Sequence, residues 1–194
     1  MRIAKILIVV LLLAAPIWVR AQAPRPAATA PEVFTATAQA KNATGAVSGI
    51  FEARVSRYTP DFDRGAVETE LRLGGYPRFL IALRKAPEVG QLIVGGSKPY
   101  AIRYAREKIE AGARTIVLVT DRPVYFIGGG QGQPTKPREG FEVSVVQIQI
   151  DATGKGSGTM AGAARVRPDV GDGVRLDDYA DQPIALTGVT RKPS

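Results

Sequence analysis

The chain has no histidine and no cysteine among its 194 residues, and its one tryptophan is Trp18. Without imidazole or thiolate it lacks the side chains that hold most zinc, copper and haem centres, and it lacks the usual base of Ser-His-Asp and Cys-His catalysis. Disulfides and a thioether lipid anchor are excluded by the same count. With Trp18 confined to the extreme N-terminus, the rest of the chain has only Tyr and Phe for stacking on sugars or bases. No cofactor is expected from this inventory.

Dense runs of one charge are also missing. The 26 basic and 18 acidic residues give a net charge of +8. The arginines and lysines are scattered, as in Arg54, Arg57, Arg64, Arg72, Arg78, Arg84, Lys85, Arg103 and Arg106, so nothing mimics a nucleic-acid-binding arm. No nucleic-acid partner is expected. Apolar runs are short as well. Ile6 to Ala15 is about half the ~20 residues needed to cross a bilayer, and Pro16 and Arg20 interrupt the residues beyond it.

The residues present at the N-terminus read as an export signal over 1–23. Arg2 and Lys5 form the charged start, Ile6 to Ala15 the apolar stretch, and Ala21-Gln22-Ala23 the small-x-small cleavage site. Cleavage there leaves 171 residues and a charge of +5. The expectation is a periplasmic or secreted protein with no stable membrane insertion after cleavage. Residues 24–31, Pro-Arg-Pro-Ala-Ala-Thr-Ala-Pro, read as a disordered tether, and residues 32–192 as a single β-rich domain.

From Phe34, the alternation of Phe34, Ala36, Ala38 and Ala40 with polar neighbours predicts a strand. Turn residues Asn42-Ala43-Thr44-Gly45 lead into a second, from Val47 to Tyr58, with Phe51, Ala53 and Val55 on one face. These should pair as a hairpin. The period then changes to helical over residues 60–86. Thr59-Pro60-Asp61 is a helix start, and Phe62, Ala66, Thr69 and Leu73 form one stripe. Gly74-Gly75 ends that helix, and a second runs from Pro77 to Ala86 with the stripe Tyr76, Phe79, Leu80 and Leu83. Further strands are predicted at about Gly90 to Val94, Tyr100 to Ile109, Arg114 to Thr120, Phe141 to Ile150, Gly156 to Val166, Val174 to Leu176 and Pro183 to Thr190. Phe141, Val143 and Val145 lie on one face and Val146, Ile148 and Ile150 on the other, which marks a bulge or a strand buried on both sides. The resulting fold class is mainly β (α+β): a curved antiparallel sheet, sandwich or partly closed barrel with an inserted two-helix segment.

Candidate chemistry is sparse. Residues 128–140 are the longest irregular segment, and loops of that length in a compact domain are usually functional or disordered. The segment comes after Asp121, Arg122 and Tyr125, which combine two charges and a polar-tipped aromatic. Asp121, Arg122, Tyr125, Gly128, Gly129, Gly130 and Gln131 are therefore the candidate ligand-binding residues. The glycines lack phosphate-loop spacing, and so does Gly154-Lys155-Gly156-Ser157. Asp169, Asp172, Asp177, Asp178 and Asp181 depart from the order of a calcium loop and read as a solvated surface. Asp61 and Asp63 are explained by the positive end of a helix dipole. The serines have neither a nucleophile-elbow context nor Ser-x-x-Lys spacing. No catalytic residue and no metal ligand is assigned.

Phe34-Thr35-Ala36-Thr37-Ala38, Gly74-Gly75 with Phe79 to Leu83, Val89 to Ile93, Val119 to Pro123 with Gly128-Gly129-Gly130, and Asp151 to Thr159 occur in that order. Together they resemble a group of uncharacterised exported bacterial proteins. The resemblance implies a location in the bacterial envelope or outside the cell, and it carries no activity or catalytic residue. The functional expectation is an exported, non-catalytic β-domain that binds an envelope partner or an apolar or anionic small ligand. Two alternatives stay open: a cofactor-free hydrolase or lyase using Asp, Lys or Tyr, and a structural envelope assembly subunit exposing a strand edge.

Overall fold

The computed structural model describes residues 31–42, 45–110, 112–125, 138–170 and 173–193. The export signal, the tether before Pro31 and the glycines from Gly128 to Gly130 with Gln131 lie outside the described residues. The elements run β1 (Glu32–Asn42), β2 (Gly45–Val55), α1 (Asp61–Lys85), β3 (Gly90–Val94), β4 (Tyr100–Glu110), β5 (Ala113–Thr120), β6 (Val143–Ile150), β7 (Lys155–Pro168), β8 (Val174–Tyr179) and β9 (Ile184–Pro193).

Every strand pairing is antiparallel. The order β6-β5-β4-β3-β2-β1-β9-β7 is joined into a ring by β6 pairing with β7, and β8 adds to the outer half of β7. The result is a closed eight-stranded barrel with one strand outside it. Of the expected alternatives the barrel holds, closed fully rather than partly, and the sandwich does not. β7 decides the closure, because it is long enough to pair with β6 on one side and with both β9 and β8 on the other. Gly156 and Gly158 permit that approach: a Cβ on Gly156 would lie 1.8 Å from the Gln149 carbonyl oxygen, and one on Gly158 2.5 Å from that of Gln147. The turn before them is built by Asp151, whose Oδ1 accepts from the amides of Thr153 and Lys155 at 2.8 and 3.1 Å.

Alternation fills the barrel. Phe34, Phe51, Leu92, Ile102, Leu118, Ile148, Met160 and Leu186 point inward and are wholly buried. Their neighbours on the other face of β2, β3 and β4 include Glu52, Arg54, Gln91 and Arg103, so this part of the wall is apolar inside and polar outside. No helix among the described residues is long and apolar enough to cross a membrane. β6 is buried on both faces, as its pattern predicts. Val146, Ile148 and Ile150 join the interior, and Val143 and Val145 join a second core outside the barrel.

Helix α1 builds that second core. The inserted segment Asp61–Lys85 is two helical stretches that meet at a kink, because Gly75 (φ 67°, ψ −167°) is not helical, and the break falls where Gly74-Gly75 is expected to end the first. Glycine tolerates this left-handed φ, and Pro77, which has no N–H to donate, comes just after the break. Beyond the break, Phe79 and Leu83 are wholly buried as expected, with Tyr76 and Leu80 packed beside them. Before it, the expected stripe is wrong. Phe62 and Leu73 are 88% and 81% exposed, and the buried face is Val67, Glu68 and Leu71. The helix is rotated because Glu68 points inward, where its Oε1 accepts from the Tyr104 hydroxyl at 2.7 Å.

Candidate functional site

Because neighbouring strands alternate in direction, β1 and β5 begin at the same end of the barrel, called here the base, and β2, β4, β6 and β9 begin at the other, the mouth. The two ends differ in chemistry.

The base is sealed by charge. Glu32, 5% exposed, accepts from the Tyr58 hydroxyl at 2.6 Å, from Arg114 Nη2 at 3.0 Å and from Arg191 Nη1 at 2.9 Å. Arg114 also pairs with Glu107. Since β1 and β5 are four strands apart either way round an eight-stranded ring, the Glu32–Arg114 pair spans the base. Burial alone would raise the Glu32 carboxyl. The hydrogen bonds from Arg114 and Tyr58 and the positive field of Arg114 and Arg191 outweigh it and hold the group below its ordinary range. Burial and the adjacent Glu32 carboxylate push the Tyr58 phenol up, so it stays a donor.

Among the described residues the mouth is closed on one side only. Beyond β5, residues 121–125 form a strap that crosses from β5 toward β7. The Val124 amide donates to the Gly162 carbonyl at 2.8 Å, and the Val124 side chain, 1% exposed, packs into the barrel interior. Only glycine fits at residue 162, because a Cβ there would lie 2.4 Å from the Val124 carbonyl oxygen. Thr120 ties the strap's root, accepting from the Ser144 amide at 3.0 Å and donating to the Arg122 carbonyl at 2.7 Å.

On the β9–β1–β2 side the rim carries a depression of about 620 Å³, lined by residues that include Gln39, Ala40, Val47, Ser48, Gln182 and Ala185. Ala40 and Val47 are register partners on the inward face, while Gln39 pairs with both Ser48 and Ala185 on the outward face. This lining offers amides, a hydroxyl and short apolar groups, suited to binding rather than to proton transfer.

The sequence-derived site residues are divided by the strap. Asp121 and Arg122 lie at its root, in a cleft of about 510 Å³ on the outer wall that Arg84, Glu88, Gln91 and Arg103 also line. Asp121 accepts from Arg103 Nε at 3.1 Å, and Arg103 Nη1 donates to the Ala86 carbonyl at 3.0 Å, pinning the end of α1 to the barrel. Tyr125, at the far end of the strap, does not line this cleft. Burial and the nearby Asp181 and Tyr100 raise its phenol. Gly128, Gly129, Gly130 and Gln131 lie outside the described residues. The C-terminal acids serve as ion-pair partners: Asp177 accepts from Arg165 at 3.0 Å, and Asp169 faces Arg175 at 3.8 Å. Among the described residues no group of His, Cys, Asp or Glu is arranged to hold a metal ion.

Sequence reasoning missed the rim residues Gln39, Ala40, Val47 and Ser48, reading them only as parts of a hairpin. The available signal was the length of that hairpin. β3 meets β2 only from Phe51 onward and β9 meets β1 only as far as Gln39, so the tip stands beyond its neighbours. Comparison with known proteins places the chain beside none of them: no family model, curated protein or solved structure matches it.

Proposed function

We propose that this chain is an exported, non-catalytic barrel module that takes up an apolar or amphipathic small ligand at the mouth of the barrel. The observation that carries the reading is the contrast between the two ends. The base is bridged by a buried ion-pair network, and the strap covers the mouth on the side of β5 to β7. On the β9–β1–β2 side the rim is a depression with neutral polar groups around inward-facing Ala40 and Val47. An apolar body would lie against Ala40 and Val47, and the carboxamides of Gln39 and Gln182 with the Ser48 hydroxyl would meet a polar head. Small β-barrels commonly bind ligands in such mouths. The export signal read in the sequence fits a carrier working in the bacterial envelope.

The test uses N-phenyl-1-naphthylamine, an uncharged fluorescent apolar probe, with the cleaved chain of residues 24–194. A saturable rise in emission is expected, and Val47→Trp, which fills the rim, should abolish most of it while leaving the melting temperature nearly unchanged. A rise that is equal in the wild-type chain and in Val47→Trp would overturn the assignment of the rim, and no saturable rise at all would overturn uptake of an apolar ligand.

A further inference from the structure

We infer that the cleft at the root of the strap is a second site, an anion site that takes the phosphate group of a phosphate monoester. Three arginines from three separate elements line it: Arg84 from the last turn of α1, Arg103 from β4 and Arg122 from the strap. They are not equivalent. Arg103 is committed, with Asp121 on one nitrogen and the Ala86 carbonyl on another. Arg122 is held in place by neutral partners, donating to the Pro99 carbonyl at 3.2 Å and standing 4.8 Å over the Tyr100 ring. Those contacts order the guanidinium without cancelling its charge. Arg84 is exposed and takes part in none of the ion pairs among the described residues. Of the cleft's two acids, Asp121 is spent on Arg103, while Glu88, accepting at 3.4 Å from the neutral Gln91 amide, keeps its charge, so two arginines stand against one remaining carboxylate.

Two arginines at one cleft therefore keep charge and donors available. Dipole compensation explains a cation in the last turn of α1, but it does not explain why Arg122, from a different element, is held by neutral partners at the same cleft. A dianion matches two guanidinium groups, and phosphate oxygens suit their planar forks. About 510 Å³ is much more than a phosphate fills, which leaves room for the organic part of an ester.

The experiment titrates residues 24–194 with glycerol 3-phosphate, following arginine Nε–Hε resonances and binding heat. A parallel arm uses vesicles containing phosphatidic acid, a lipid with the same phosphate monoester. Saturable binding is expected with shifts at Arg84, Arg103 and Arg122. The Arg84→Gln/Arg122→Gln double variant should bind roughly tenfold more weakly or worse, while Arg57→Gln, an exposed arginine near the base, should bind as the wild type does. Retention on vesicles that depends on Arg84 and Arg122 would assign a lipid headgroup as the source. Binding of the soluble ester alone would assign a solute, and either result supports the site. Unchanged affinity in the double variant, an equal loss in Arg57→Gln or no saturable response in either arm would overturn it.

Discussion

Glu32 is a carboxylate in a place where water barely reaches, and three donors from three other parts of the chain explain why it stays charged. Removing one partner of such a group strands the rest, so Glu32→Ala should cost about 3–5 kcal/mol in a denaturant melt. The pH dependence comes from the direction of its shift. A carboxyl whose folded value lies below its ordinary value near 4.5 contributes stability that is complete above that value and is lost as the pH falls through the folded value. In Glu32→Gln the acid limb of the stability profile should flatten below about pH 4.5, with little change in its shape near neutrality. An unchanged acid limb would show that other carboxylates govern it. None of this was legible in the sequence, where Glu32 marked only the start of the fold. Its partners Tyr58, Arg114 and Arg191 lie 26, 82 and 159 residues away, and no local pattern records such separations.

Among the elements, most of the strands could be read because their period of two reports a real division between an apolar interior and a polar exterior. The hairpin of β1 and β2 and the two-faced burial of β6 are both visible in the order of residues. The helix was half legible. Its second half shows a stripe that the barrel buries, but in its first half a rule that places apolar residues inside chose Phe62 and Leu73 over Val67, Glu68 and Leu71. Tyr104, by giving Glu68 a buried partner, reverses that choice. Two consequences can be measured in denaturant melts. Leu83→Ala should cost about 2–5 kcal/mol because it empties a packed site, whereas Phe62→Ser and Leu73→Ser should each change stability by no more than about 0.5 kcal/mol. A large loss at Phe62 or Leu73 would mean that this face is covered in solution. The strap has its own test. Gly162→Ala forces a Cβ against the Val124 carbonyl, so hydrogen exchange at the Val124 amide should rise well above that of the β5 and β6 amides. Unchanged protection would show that the strap is not held as described.

For the molecule taken together, closure was the feature least accessible to sequence. Sandwich and barrel share strands of the same length and pattern, and they differ in whether β6 finds β7 and β1 finds β9. Glycines 156 and 158, the first of them read in the sequence as part of a failed phosphate loop, are what let β7 lie close enough to complete the ring. The candidate site was legible only in its first residues. Asp121, Arg122 and Tyr125 stood out as an unusual grouping, yet the strap they belong to sends the first two to an outer cleft and the third toward Asp181. The rim of β1, β2 and β9 is assembled from ordinary strand residues whose significance comes from closure alone.

A barrel bridged by ion pairs at its base, with the proposed ligand site at its mouth, should respond to an apolar ligand at one end only, and an amide chemical-shift map of residues 24–194 titrated with N-phenyl-1-naphthylamine reads that response residue by residue. Saturable shifts are expected to concentrate at Gln39, Ala40, Val47, Ser48, Gln182 and Ala185, with Glu32, Arg114 and Arg191 unmoved. Shifts centred on the base, or spread evenly over the outer wall of the barrel, would refute the division of labour between the two ends.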